Sequence, residues 1–246
     1  MVPAPSTGAD HHRTASRSRA LPGRVVVGFR AVSDGGVRDE SRALLGLVAY
    51  GELAAFSRLA ADAQRAPDLA GRIELATLAA VEMDHFRRVR DHLAEGGVDV
   101  ADAMAPFVER VDRLLRTVAG RDWAEALVAT TLGRGLVTDL QTEALESLDG
   151  GDADLVREVI ADAGHDAFVA ERIREACVDP QVHGRLSMWA RRLLGEALVA
   201  VTEALAEPGL AAALASDGAP APTGTRSPVL KRLKSAHNKR VAALGL

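Results

Sequence analysis

Between residues 39 and 206 the chain offers almost no place to put a β-strand. Apolar residues recur there at three- and four-residue spacing, the period of a helix, and not in the alternation that a half-buried strand requires. The breaks fall where helices end: "QRAPDLAG" around Pro67, Gly96-Gly97, Gly120, "DGGDAD" at 149–154 and "DP" at 179–180. They leave helix A from Asp39–Ser41 to Ala66, helix B over 69–95, a short amphipathic helix inside 98–121, helix C over 122–148, helix D over 153–177 and a fifth helix over 181–206. Ala, Leu and Arg are abundant and aromatics are only 3%, so the expected fold class is all-α.

Outside that region the pattern changes. Residues 1–38 mix Pro, Gly, Ser, Arg and His without periodicity and read as a disordered tail, and 207–228 are Ala, Pro and Gly rich and read as a linker. Residues 229–246 form an amphipathic helix with Leu230, Leu233, His237, Val241 and Leu244 on one face and Lys231, Arg232, Lys234, Lys239 and Arg240 around it. The shared apolar face favours docking on the bundle over contact with RNA phosphates. Net charge is only -4, which advertises neither nucleic acid nor an anionic surface. The single Cys177 excludes an intrachain disulfide and a thiolate zinc site, leaving carboxylates and histidines as metal donors. No run approaches the roughly 18 apolar residues of a membrane span and no signal peptide is legible, so the expectation is a cytoplasmic protein with no membrane partner.

Acids stand where the helices call for leucine. Helix A places Glu52 on the stripe Leu45, Ala49, Phe56, Leu59 and Ala63, and helix B places Glu82 and His85 among Leu75, Leu78 and Val89. Helix D repeats the acid-x-x-His spacing with Asp162 and His165, between Leu155 and Val159 on one side and Val169 and Ile173 on the other. Unpaired buried carboxylates cost several kcal/mol each, and a shared cation removes that cost. Carboxylates mixed with imidazoles suit iron or manganese, and helical bundles build two-metal sites from one acid on each of two helices plus an acid-x-x-His on each of the other two.

Helix C offers Asp139 and Glu143, one turn apart. Residues equidistant from a hairpin turn share a height: Glu52 and Glu82 are centred on Pro67, and Asp139 and Asp162 on Gly150-Gly151. Asp139 is therefore the first choice, with Glu143 the alternative. Bringing both hairpins to one site requires the B-to-C link to run the length of the bundle, and 98–121 with its own helix, at about 1.5 Å per residue, is long enough. This predicts two helical hairpins joined by a long crossover, with additional C-terminal helices.

Glu52, "EMDH" at 82–85, an acid on helix C and "DAGH" at 162–165 resemble the ferritin-like di-iron carboxylate superfamily. "LLGLVAYGELAAFSRLAADA", "ADAGHDAFVAERI", "WARRLLGEAL" and "HNKRVAALGL" are similar to actinobacterial ferritin-like proteins related to the tRNA-(2-methylthio-N6-isopentenyladenosine) hydroxylase. The resemblance implies a ferritin-like four-helix bundle with two irons per chain, manganese being the alternative metal. Their ligands would be Glu52, Glu82, His85, Asp162, His165 and a helix C acid. It further implies an O2-dependent hydroxylase or monooxygenase supplied by an electron donor, with tRNA as a candidate partner. Two other expectations use the same residues: an iron-handling or peroxide-consuming protein, and a helical interaction module whose metal site has lapsed. Thr131, Thr138 and Thr142 are candidates for proton handling, Tyr50 for a redox-active neighbour, and Trp189 and Met188 for packing the fifth helix.

Overall fold

A computed structural model describes residues 38–145, 148, 150–161, 166–214 and 228–246. Among them are nine α-helices and no strand: α1 Asp39–Gln64, α2 Leu69–Glu95, α3 Val100–Thr117, α4 Trp123–Ala144, α5 Gly150–Ala161, α6 Asp166–Ala176, α7 Pro180–Ala204, α8 Pro208–Ala213 and α9 Pro228–Ala243. The all-α expectation holds. Helices A, B and C correspond to α1, α2 and α4, the amphipathic connector is α3, and helix D is described as α5 and α6.

Short aspartate caps start these helices. Asp68, Asp99, Asp122 and Asp179 each accept a backbone N–H from the first turn of α2, α3, α4 and α7, at 2.7–3.0 Å. Each satisfies one of the N–H groups that a helix start leaves without a partner.

The apolar core divides at mid-bundle. One cluster joins Leu44, Leu45 and Val48 of α1 to Val89 and Leu93 of α2, Leu136 and Leu140 of α4, and Val156 and Val159 of α5. The other joins Leu59, Leu75, Leu78, Leu132, Val169 and Ile173 to the first half of α7. On α1 and α2 the residues between the two clusters include Glu52, Glu82 and His85. On α1 and α2 the predicted stripes are buried as read apart from half-buried Phe56, and their polar residues fall at the division.

Glycine allows close helix packing at Gly46. A Cβ at Gly46 would stand 2.2 Å from the Ala103 carbonyl oxygen, so α3 rests on α1 through bare backbone. Gly46→Ala is expected to destabilise the protein by about 1–3 kcal/mol, as overpacking does. Gly195→Ala, where nothing lies within 4 Å, should instead stabilise by up to ~1 kcal/mol through helix propensity. Comparing the urea midpoints of the two variants tests the contact.

The stretch read as linker from 207 begins with a helix. Glu207 accepts from Leu210 N at 2.7 Å, Pro208 occupies the first turn of α8, and Leu210 is fully buried. A Cβ at Gly209 would lie 2.7 Å from Ala43 Cβ and 3.0 Å from the Asp39 carbonyl oxygen, so α8 docks on the start of α1. Proline and glycine, which suggested a linker by composition, here start a helix and admit a close approach. Residues 215–227 and the predicted tail up to 37 lie outside the described residues.

The C-terminal helix α9 packs on α4 and α7 with Leu230, Leu233, His237 and Leu244 buried, as its stripe predicts. By length and composition, α1 alone among the described helices could cross a membrane; here it packs against α2, α3, α4 and α8.

Candidate metal centre

Glu52 from α1 and Glu82 and His85 from α2 converge where the core divides. They are 7%, 2% and 1% exposed. His85 Nδ1 lies 3.4 Å from Glu52 Oε2 and 3.8 Å from Glu82 Oε2, and one donor atom from each residue falls within 4.8 Å of the others. The Pro67 turn sets Glu52 and Glu82 at equal height, as expected. The three-residue spacing of Glu82 and His85 puts both on the inner face of α2.

A fourth group enters from α4, and it is a cation. Arg134 Nη1 lies 2.5 Å from Glu82 Oε1. Residue 134 stands two positions from both Leu132 and Leu136, off the apolar stripe, so periodicity gave no signal for this role.

The two carboxylates divide their protonation. Burial, reinforced by neighbouring Glu82 against the opposing pull of His85, pushes the Glu52 carboxyl up to about 8. Burial acts to raise Glu82 as well, but His85, the hydrogen bond with Glu52 and the Arg134 charge outweigh it and hold Glu82 below the ordinary carboxylate range. Two adjacent acids in a dry site cannot both ionise cheaply, and a cation can take the place of the shared proton. Two carboxylates and an imidazole form a donor set suited to iron or manganese. On donor chemistry the cluster fits a metal ion.

The other predicted ligands are placed differently. Asp162 and His165 lie outside the described residues. Asp139 does not join the cluster: its carboxylate pairs with Arg240 of α9, while Glu143 accepts from Arg232 Nε at 2.5 Å. The hairpin-height argument took the turn centre as Gly150-Gly151, but Gly150 is already the first residue of α5. Height also says nothing about rotation around the axis, and the side of α4 carrying Gly135, Asp139 and Glu143 is the one α9 covers.

Gly135 makes room for that cover, since a Cβ there would meet the Arg240 side chain at 2.3 Å. Asp139→Asn is therefore expected to loosen α9. Trypsin should cut at Lys231, Lys234 and Lys239 several-fold faster in the variant, with iron content unchanged. Loss of iron without faster cutting would return Asp139 to the metal.

A cavity of about 210 Å³ adjoins the cluster. Its walls are mostly apolar, from α1, α3 and α4, and it includes Glu52, Glu82, His85 and Arg134. Of the predicted threonines Thr138 lines it, as does Thr130; Thr142 instead donates to the Thr138 carbonyl at 2.8 Å.

Tyr50 donates to Asp112 Oδ1 at 2.6 Å, and burial followed by that hydrogen bond pushes its hydroxyl up to about 12. This ties α1 to α3. His92 lies 2.6 Å from Asp152 and clasps α2 to α5. Trp189 is buried and donates to the Glu125 carbonyl at 3.1 Å, whereas Met188, expected to pack beside it, is 70% exposed. Asp84 and Glu171, beside the two motifs, are exposed. Fully buried Glu125, which periodicity did not single out, accepts from Arg121 and Arg185 and anchors the start of α4.

Helical hairpins joined by a long crossover helix, with buried acids and a histidine at mid-height, define a carboxylate-type ferritin-like bundle. The ferritin-like domain of actinomycetes matches residues 37–218, and the chain belongs to that family. The match takes in α8 and stops before α9. Comparison with curated proteins finds no match.

Proposed function

We propose that this protein is a non-heme di-iron carboxylate oxygenase that hydroxylates an apolar substrate held against the cluster. The observation that carries the reading is the mostly apolar cavity bordered by the carboxylates and the imidazole, since storing iron requires no such chamber. Glu52, Glu82 and His85 would hold one metal, and Asp162 and His165 would complete the set for the second. Iron bound there would supply the O2 and one-electron chemistry that side chains lack, drawing on an external electron donor.

The chain's own residues do the rest. Arg134 fixes one oxygen of Glu82 and leaves the other directed toward Glu52 and His85. Glu52 gives up its proton when a cation arrives. The leucines and valines of α1, α3 and α4 exclude water and orient the substrate, and the Thr130 and Thr138 hydroxyls in the wall can hold or pass a proton. RNA is the less favoured substrate, because Arg232 and Arg240 of the basic α9 are committed to Glu143 and Asp139.

Anaerobic iron loading followed by metal analysis tests the site: about two irons per chain are expected, and none would leave a helical module. Exposure to O2 then separates the other two readings. An oxygenase should stop after one oxidation until a reductant is supplied, whether or not bulk tRNA is present. An iron-handling protein should keep oxidising added ferrous iron and retain the product.

A further inference from the structure

The cavity is more specific than an apolar void. Gly46 on α1 is a glycine because α3 leaves no room for a side chain, but Gly51 on α1 and Gly133 on α4 line the cavity with nothing within 4 Å of where a Cβ would stand. Glycine inside a helix sacrifices stability relative to alanine, and packing does not require it at either position. Half-buried Gly51 keeps space open in the wall, and exposed Gly133 stands at the rim.

Opposite that space, α3 is amphipathic along its whole length but fully buries only Ala103 and Phe107, both in its first half. Val111, Leu114 and Leu115 from its second half, with Val118 just past its end, are half-buried and line the cavity. The chamber is thus lined on the α3 side by apolar residues that are only partly covered.

One further charge sits in the wall. Arg58 donates through Nε to Asp62 Oδ2 at 2.6 Å, and Asp62 also accepts from Arg65 at 3.2 Å, so two guanidinium groups share one buried carboxylate. Arg58 Nη2 is buried and has no hydrogen-bond partner among the described residues. A buried guanidinium N–H without an acceptor is costly, and an anionic oxygen is the acceptor that relieves it best. Arg58 lies six residues after Glu52 on the same helix, about 9 Å along its axis.

We infer that the cavity binds an amphipathic carboxylate of medium chain length, with its head on Arg58 and its apolar stem running between α3 and α4 toward the Glu52, Glu82 and His85 cluster. This rests on the cavity being the substrate chamber of the proposed oxygenase and names its substrate class: a monoanion with a saturated, apolar far end. The head group is held away from the metal donors, so the end presented to them is the unactivated one.

Calorimetric titration of the metal-free full chain with octanoate, octan-1-ol and octylammonium tests the inference separately from any failure of iron loading or O2 chemistry. Octanoate should bind about tenfold or more tighter than the alcohol, and octylammonium weakest, as one charge-assisted hydrogen bond would give. Arg58→Gln should remove the preference for octanoate while leaving the alcohol unchanged, which a general loss of folding could not do. Gly51→Leu raises helix propensity while filling the chamber, so it should abolish binding of both probes in a protein at least as stable as the parent. Equal binding of acid and alcohol, an unchanged preference in Arg58→Gln, or octanoate binding that survives Gly51→Leu would each overturn the assignment.

Discussion

Glu82→Gln and His85→Ala are each expected to abolish stoichiometric iron binding while the far-UV circular dichroism stays that of a helical bundle. Each side chain supplies one of three donors that lie within 4.8 Å of one another. Losing a hydrogen bond that merely supports a ligand costs roughly 10- to 100-fold in metal affinity, and removing the ligand itself should exceed that. The fold should survive, because leucine clusters on both sides of the site, from Leu45 and Leu93 to Leu59 and Leu75, carry the packing. Glu82→Gln is the cleaner variant: it keeps the side-chain volume while removing the anionic donor. Metal analysis after anaerobic loading and dialysis reads the outcome. Normal iron content in both variants would show that the ion sits elsewhere.

Without metal the protein should become less stable as pH rises from about 5 to 8, the reverse of the usual behaviour of a carboxylate. The folded-state pKa of Glu52 is raised from 4.5 to about 8 by burial first and by Glu82 second. Across that window the folded chain keeps a proton that the unfolded chain has released, so raising the pH favours unfolding. At about 1.36 kcal/mol per unit the effect has a ceiling of roughly 5 kcal/mol, and sharing of the proton with Glu82 brings it below that. Glu82 has the opposite sign, since its pKa is lowered to about 2; its contribution is lost only as pH falls from 4.5 toward that value and is constant from 5 to 8. Urea unfolding of the metal-free protein at pH 5.5 and pH 8 should show the decline, and Glu52→Gln should flatten it. Iron affinity should run the other way, strengthening with pH as Glu52 surrenders its proton to the ion. A metal-free protein whose stability does not fall across the window would mean that both carboxylates are already ionised.

Asp139 shows where reading by hairpin symmetry stops. The same construction succeeded for Glu52 and Glu82, because Pro67 marks the A/B turn without ambiguity. For helix C the two glycines taken as the turn centre belong to α5, and among the described residues Asp139 pairs with Arg240. Met188 failed for a related reason. Spacing put it next to Trp189, but neighbours in a helix point about 100° apart, and only one of them can face the bundle.

What the sequence by itself determined is what helical periodicity can report: which segments are helices, which side of each is buried, and that Glu52, Glu82 and His85 interrupt buried stripes. These follow from the burial demanded of each helix one at a time, and they needed no partner to be specified. The tertiary structure decided what depends on rotation and reach between helices distant in the chain. It brought Arg134 onto Glu82, paired Asp139 and Glu143 with the arginines of α9, and left an open chamber under α3 with a buried Arg58 N–H in its wall. Long charged side chains lie off the apolar stripe and read as solvated wherever they occur in sequence. Which of them turns inward is set by the carboxylate it finds on another helix, and that meeting exists only once the bundle has packed.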